Sequence, residues 1–410
     1  MLPRHLPPHR LPLDATHDDG RIMNQKRVRL SLKKRIAFSA FVTLSFFCFA
    51  EIGFRAMEIF WPPRHVDFGL GFNDDSRVFV DSTLHPGYME TDPAKRVSFV
   101  RQRFLREKPA DVYRIVALGG SSVNYLEPEF EQLERQLSSE SKQIEIINCG
   151  GLAYGSHRLV LVMREMLEYE PDLMLLYTGH NEFEEVEQLS LSGVDKLSFE
   201  RTISHSAIIR FLRDRRADYE VDRLEKEHNQ RLLAREEPVS DSNFARAWSH
   251  DFGEQDVQER MQSYEHNLRL ILATTKQQQI PVIMGTVSSN LLQPYLPREA
   301  AVRYQRVYEL WKDGKKDEGL QLAKQILAET TGRHQCSELE NNILKDLADE
   351  YSLPLVDVES MIATAEPHGI PGETLFDDHC HLNDAGRAIW IAGYAPQIQK
   401  AIASDSVVSE

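Results

Sequence analysis

Four short segments, far apart in the chain, carry side chains that together suit ester cleavage: Gly119-Gly120-Ser121-Ser122, Asn148-Cys149-Gly150-Gly151, Gly179-His180-Asn181-Glu182 and Asp378-His379-Cys380-His381-Leu382-Asn383. They supply a serine nucleophile, oxyanion donors and a histidine with a carboxylate three residues before it. A serine hydroxyl attacks at neutral pH only when a base takes its proton, and an imidazole base needs an acceptor on its other nitrogen. The tetrahedral oxyanion then needs donors fixed before the reaction, each worth on the order of 3 kcal/mol.

The first three segments each follow an apolar run, which is where functional groups gather in a parallel sheet. Residues 112–118, 144–148, 173–177, 280–286 and 353–358 are β-branched or Leu-rich runs with little polar alternation, as expected of strands covered on both faces. Helical periodicity separates them at 129–138, 156–168, 257–276, 299–328 with 338–351, and 385–401. Alternation of this kind predicts an α/β fold with a five-stranded, doubly wound parallel sheet.

Two stretches exceed what five such units need. Residues 184–255 are crowded with charge but show helical spacing at Ile208, Phe211 and Leu212, which suits either a lid over the site or a solvated insertion. Residues 303–331 read as a helical hairpin turning at Lys312-Asp313-Gly314; its aromatic spacing resembles half of a tetratricopeptide unit, and one unit cannot form an array. Helical insertions are therefore expected near 184–278 and 296–350, within a domain spanning 111–405.

The chain has 410 residues, 41% hydrophobic and 27% charged, enough for one large globular domain. Its net charge is −15, yet residues 1–35 hold nine Lys and Arg against three Asp, so the body is strongly acidic and nucleic acid is not an expected partner. After that basic segment comes the apolar run 36–50, which reaches bilayer length of roughly 20 residues only if its helix continues past Glu51 and Arg55 toward Trp61. The charge step predicts a single-pass signal-anchor over 36–61, with 1–35 cytoplasmic, a connecting segment over 62–110 and the catalytic domain outside the inner membrane. Cleavage after Ala50 and a buried core helix are the rival readings. Cys149, Cys336 and Cys380 form no CxxC pair; buried thiols are expected, with a Cys149–Cys380 disulfide as the alternative.

With these residues in order, the chain resembles the SGNH (GDSL-type) hydrolase superfamily across 113–401, and its membrane helix with GGSS, YTGHNEF and DHCHLN looks like a bacterial envelope branch. The combination carries the resemblance, since each motif alone occurs by chance. It implies a flavodoxin-like sheet, Ser121 as nucleophile, His381 as general base and Asp378 as the carboxylate orienting it. It also implies an oxyanion hole made of the Ser121 N–H, the Asn181 side chain and a third N–H, on Ala153 in one register or Gly155 in a shifted one. Gly120 and Glu182 stand where the family has Asp, and Ala153 where it has Gly.

Blander roles exist for each residue. Ser121 can cap a helix, Asn181 a loop, and Asp378 with His381 can be a structural pair. His180, His379 and Glu182 read as structural. The run Asp378-His379-x-His381, with Asp377 or His180, can ligate a metal, but GGSS then has no purpose. The expected protein is a serine esterase acting on an O-acyl group of an envelope glycan or lipid, with no cofactor and no metal. Acyl transfer by the same triad and a non-catalytic module that keeps the fold are the alternatives.

Overall fold

The computed structural model describes residues 31–61, 77–96, 98–185, 206–212, 215, 219, 254–372 and 374–408. Most of the basic segment, and all of the 184–255 insertion except 184–185, 206–212, 215, 219 and 254–255, therefore lies outside the described residues.

Helix α1 (Leu32–Phe60) is continuous through Glu51 and Arg55, whose side chains pair at 2.9 Å one turn apart. Its 29 residues span roughly 44 Å. It is long and apolar enough to cross a bilayer, and none of its residues is buried.

The segment expected to be a connector folds into a small antiparallel sheet of β1 (Phe79–Asp81), β2 (Tyr88–Thr91) and β3 (Arg103–Leu105). Strands of three or four residues give too little periodicity to be read from sequence. This sheet is welded to the larger body: the Val78 and Phe79 amides donate to the Glu165 carboxylate at 2.6 and 3.0 Å, and the Phe104 ring packs against Tyr169 at 5.1 Å.

The main sheet comprises β4 (Val112–Gly119), β5 (Gln143–Gly150), β6 (Leu173–Tyr177), β7 (Val282–Gly285) and β8 (Leu355–Val356). All pairs are parallel, in the order β5-β4-β6-β7-β8. This is the doubly wound flavodoxin-like order, in which the chain reverses direction across the sheet between β4 and β6 and opens a crevice at their C-terminal ends. Ile115 to Leu118 and Leu173 to Leu176 are fully buried at its centre, which explains their unbroken apolar runs.

The crossovers are α2 (Ser121–Asn124) with α3 (Glu127–Leu137), α4 (Ser156–Met166), α5 (Glu254–Gln277), and the group α6 (Arg298–Lys312), α7 (Lys316–Glu329) and α8 (Glu338–Tyr351). Helix α9 (Val358–Ala365) and α10 (Asp384–Val408) follow β8. The expected hairpin forms as α6 and α7, turning at Gly314 with φ 75° and closing its own small core of Tyr304, Val307, Ala323 and Ile326. Polar side chains fix the start of α8: Ser337 just before it and Glu340 in its first turn form a capping box.

Candidate active site

Ser121 opens α2 immediately after β4, and two glycines make that turn sterically possible. A Cβ at Gly119 would stand 2.3 Å from the Tyr177 carbonyl oxygen and from Val123 Cγ2; one at Gly120 would stand 2.2 Å from Asn181 Nδ2. Gly120 has φ −86°, so space rather than backbone freedom requires it.

Across the crevice, the loop before α10 brings His381 to Ser121, with Nε2 and Oγ 2.7 Å apart. His381 Nδ1 lies 2.6 Å from Asp378 Oδ2, while Asp378 Oδ1 accepts the amides of Cys380 and His381, both at 2.8 Å. Burial alone would raise the Asp378 pKa, but the hydrogen bond and charge of His381 and the two amides hold it well below the usual carboxylate range. The carboxylate stays ionised and can fix the imidazole in the tautomer that presents a bare Nε2 to the serine. Tyr125, 45% exposed, packs its ring 4.8 Å from that imidazole.

Close to Gly120, Asn181 follows β6 and donates one Nδ2 hydrogen to the Tyr154 carbonyl at 3.1 Å, which leaves its second hydrogen available. Ala153 adopts φ 62°, a left-handed conformation that costs an L-residue about 1–2 kcal/mol, and the Arg158 guanidinium holds its carbonyl. Among the described residues the Ala153 N–H meets no acceptor, whereas the Gly155 N–H donates to Glu185 Oε1 at 3.1 Å. Of the two registers, only the Ala153 one has an amide to offer.

Two buried carboxylates set that loop. Glu185 accepts from the amides of Gly155, His157 and Arg158 and from Arg158 Nε, each at 3.0–3.1 Å. Glu182 accepts from the Ser156 amide at 2.8 Å and its hydroxyl at 2.7 Å. Both thus lie at the N-terminus of α4, where the helix dipole and orphan amides favour negative charge. Burial raises the Glu182 pKa, with Arg260 at 3.8 Å opposing it. The sequence singled out Glu182 but not Glu185, Arg158, Tyr154 or Tyr125. A helical i, i+3 carboxylate pair after GHN was the only available signal for Glu185.

Three further histidines are buried near the relay. His180 Nδ1 accepts from the Cys336 amide at 3.0 Å, so its proton sits on Nε2; burial lowers its pKa to about 3. Burial likewise lowers His334 to about 3 and His379 to about 4, so these three rings are neutral at physiological pH. Asp378, His379 and Cys380 have ligand-type atoms within 4.8 Å of one another, but the Asp378 oxygens already serve His381 and the two amides. Cys149, Cys336 and Cys380 are buried free thiols; the alternative Cys149–Cys380 disulfide is not formed.

A doubly wound sheet that bears a Ser–His–Asp relay and spare hydrogen-bond donors at the C-terminal ends of its strands has the layout of a serine hydrolase. Solved structures similar to this chain include a GDSL-like lipase from Bacteroides thetaiotaomicron, at 13% identity over 70% of this chain and 89% of that one, TM-score 0.36. They also include an acetyl xylan esterase, at 14% identity over 71% and 98%, TM-score 0.36. An SGNH-hydrolase family esterase aligns at 14% identity over 72% and 98%, TM-score 0.30. Likenesses this distant add no weight for a particular activity, which rests on the geometry above. No family model and no curated protein matches the chain.

Proposed function

We propose that the chain is a membrane-anchored serine esterase of the SGNH type that removes an O-acyl group from an envelope glycan or lipid. The observation that carries this reading is the unbroken relay from Asp378 through His381 to Ser121 at 2.6 and 2.7 Å. His381 Nε2 takes the Ser121 proton as Oγ attacks the acyl carbon. The Asn181 side chain and the Ser121 and Ala153 amides hold the developing oxyanion, and the protonated His381 returns its proton to the departing alcohol. Water, activated by the same imidazole, then releases the acid and frees the serine.

Tyr125 offers an aromatic face beside His381, suited to a sugar ring on the alcohol side of the ester. The charge step across α1 supports an orientation with this body on the outer side of the inner membrane. A fluorophosphonate probe tests the assignment: it should label the parent and Ser122→Ala, and leave Ser121→Ala unlabelled though folded. Labelling that persists in Ser121→Ala refutes the nucleophile. Full inactivation by a chelator, with rescue by a divalent metal, refutes the serine mechanism.

A further inference from the structure

Glu51 interrupts the apolar run of α1, and its partners come from the insertion that the proposed chemistry leaves unused. Its carboxylate accepts from Ser206 Oγ at 2.7 Å, the Ala207 amide at 2.7 Å and the Ile208 amide at 3.3 Å, besides Arg55 Nε at 2.9 Å. These amides open a helical segment at 207–212. The next two are also satisfied locally, Ile209 by Ser206 Oγ at 3.4 Å and Arg210 by the Ser206 carbonyl at 3.0 Å. The amides of the first three helical residues, Ala207, Ile208 and Ile209, thus each have a side-chain acceptor, and Arg210 makes the first intrahelical bond. Hydrocarbon imposes that condition on a backbone, whereas water would satisfy such groups itself.

The contacts then climb α1 in register. The Phe211 ring lies 4.9 Å from Phe54, and Arg210 forks onto Glu58 at 2.9 and 2.6 Å. Counted from Ile36 at about 1.5 Å per residue, Glu51 stands roughly 22 Å into an apolar layer about 30 Å thick, Phe54 and Arg55 reach its far boundary and Glu58 lies beyond it. Ala207 is fully buried, while Leu212 is 56% exposed and Ile59, Phe60 and Trp61 are more than 70% exposed. The sequence here, Ala207-Ile208-Ile209-Arg210-Phe211-Leu212, is apolar apart from the one arginine that Glu58 neutralises.

We infer that residues 206–212 dip into the outer leaflet beside α1, with Glu51 capping the deepest point and Arg210 and Leu212 at the headgroup level. Residues 206–212 are therefore a second lipid-contacting element, and the occupant of their exposed apolar side is the bilayer. This rests on the reading of α1 as an uncleaved anchor, since cleavage after Ala50 would make Glu51 a free N-terminus.

The test uses the full chain in phosphatidylcholine–phosphatidylglycerol vesicles. Cys48→Ala removes the exposed native thiol, and a bimane probe is attached at Leu212→Cys or, as an aqueous control, at the exposed Glu309→Cys. Nitroxide-labelled lipids should quench the Leu212 probe several-fold more than the Glu309 probe, and aqueous iodide should do the reverse. Iodide quenching of Leu212 equal to that of the control overturns the inference. Adding Glu51→Ala should move the Leu212 probe to iodide while turnover of an aryl ester confirms an intact fold; an unchanged depth refutes Glu51 as the cap. Protein recovered free of vesicles and lacking α1 by mass refutes the anchor itself, an outcome separate from a wrong depth.

Discussion

Gly120→Ala isolates the oxyanion side of the site with a single methyl group. With φ −86° and ψ −153°, position 120 is extended backbone, so alanine brings no conformational strain. Its Cβ, however, would stand 2.2 Å from Asn181 Nδ2 and 3.2 Å from the Tyr154 carbonyl oxygen. Non-bonded heavy atoms settle near 3.5 Å, so Asn181 must retreat by about 1 Å. A reacting geometry misplaced by that much loses about 10² in rate, and complete loss of one oxyanion donor costs about 10²–10³, or about 2.7–4 kcal/mol. Overpacking should cost only about 1–3 kcal/mol of stability. Turnover of p-nitrophenyl acetate by purified Gly120→Ala should thus fall by about 10²–10³ with KM nearly unchanged, because the lost hydrogen bond strengthens only as charge develops. A double variant with Asn181→Ala should be no slower than Asn181→Ala alone, since both remove the same donor. Parent-like turnover in Gly120→Ala, or multiplicative losses in the double variant, would show that Asn181 is not poised at the oxyanion.

Asp378→Ala should lower kcat by up to about 10⁴, because the His381 tautomer is no longer fixed, and a loss no larger than that of Ser122→Ala would count against the relay. Glu185→Ala should destabilise the fold by about 3–5 kcal/mol in urea melts, as the fully buried Arg158 loses its charge partner at 3.0 Å and the α4 amides lose their acceptor. Burial keeps His334 at about 3 in the folded protein against an ordinary 6.5, so below pH ~6.5 the unfolded chain binds a proton that the folded one refuses and stability falls with pH. His334→Gln should flatten that fall by about 1.4 kcal/mol per pH unit between pH ~6.5 and ~4, and parallel stability–pH curves would contradict it.

The strand-end placement of the three N-terminal segments was legible because buried parallel strands leave unbroken apolar runs that stop abruptly. Ser121 and Asn181 could be singled out in this way, Asp378 and His381 by their i, i+3 spacing, and the structure brings the four into one crevice. The oxyanion register was not legible. Which of the two candidate amides stays available depends on Glu185, which occupies the Gly155 N–H, a contact thirty residues along the chain that local pattern does not encode. The small β1–β3 sheet escaped for a different reason: its strands are three or four residues long, and a buried carboxylate on α4, Glu165, holds it in place. The fifth strand, expected over 353–358 from its apolar run, forms at the expected place but shortens to Leu355–Val356, paired with β7.

The serine and the histidine that would activate it are 260 residues apart. Closing so long a loop costs little more free energy than closing a shorter one, because the penalty grows only with the logarithm of length. In time it is expensive: at about 5–20 residues per second of synthesis, His381 follows Ser121 by roughly 13–50 s. During that interval the strands carrying Ser121 and Asn181 can pair, yet the hydroxyl has no base and remains inert. The nascent chain therefore carries the hydroxyl without its imidazole until residue 381 has been made and docked, which delays the proposed catalysis by that interval.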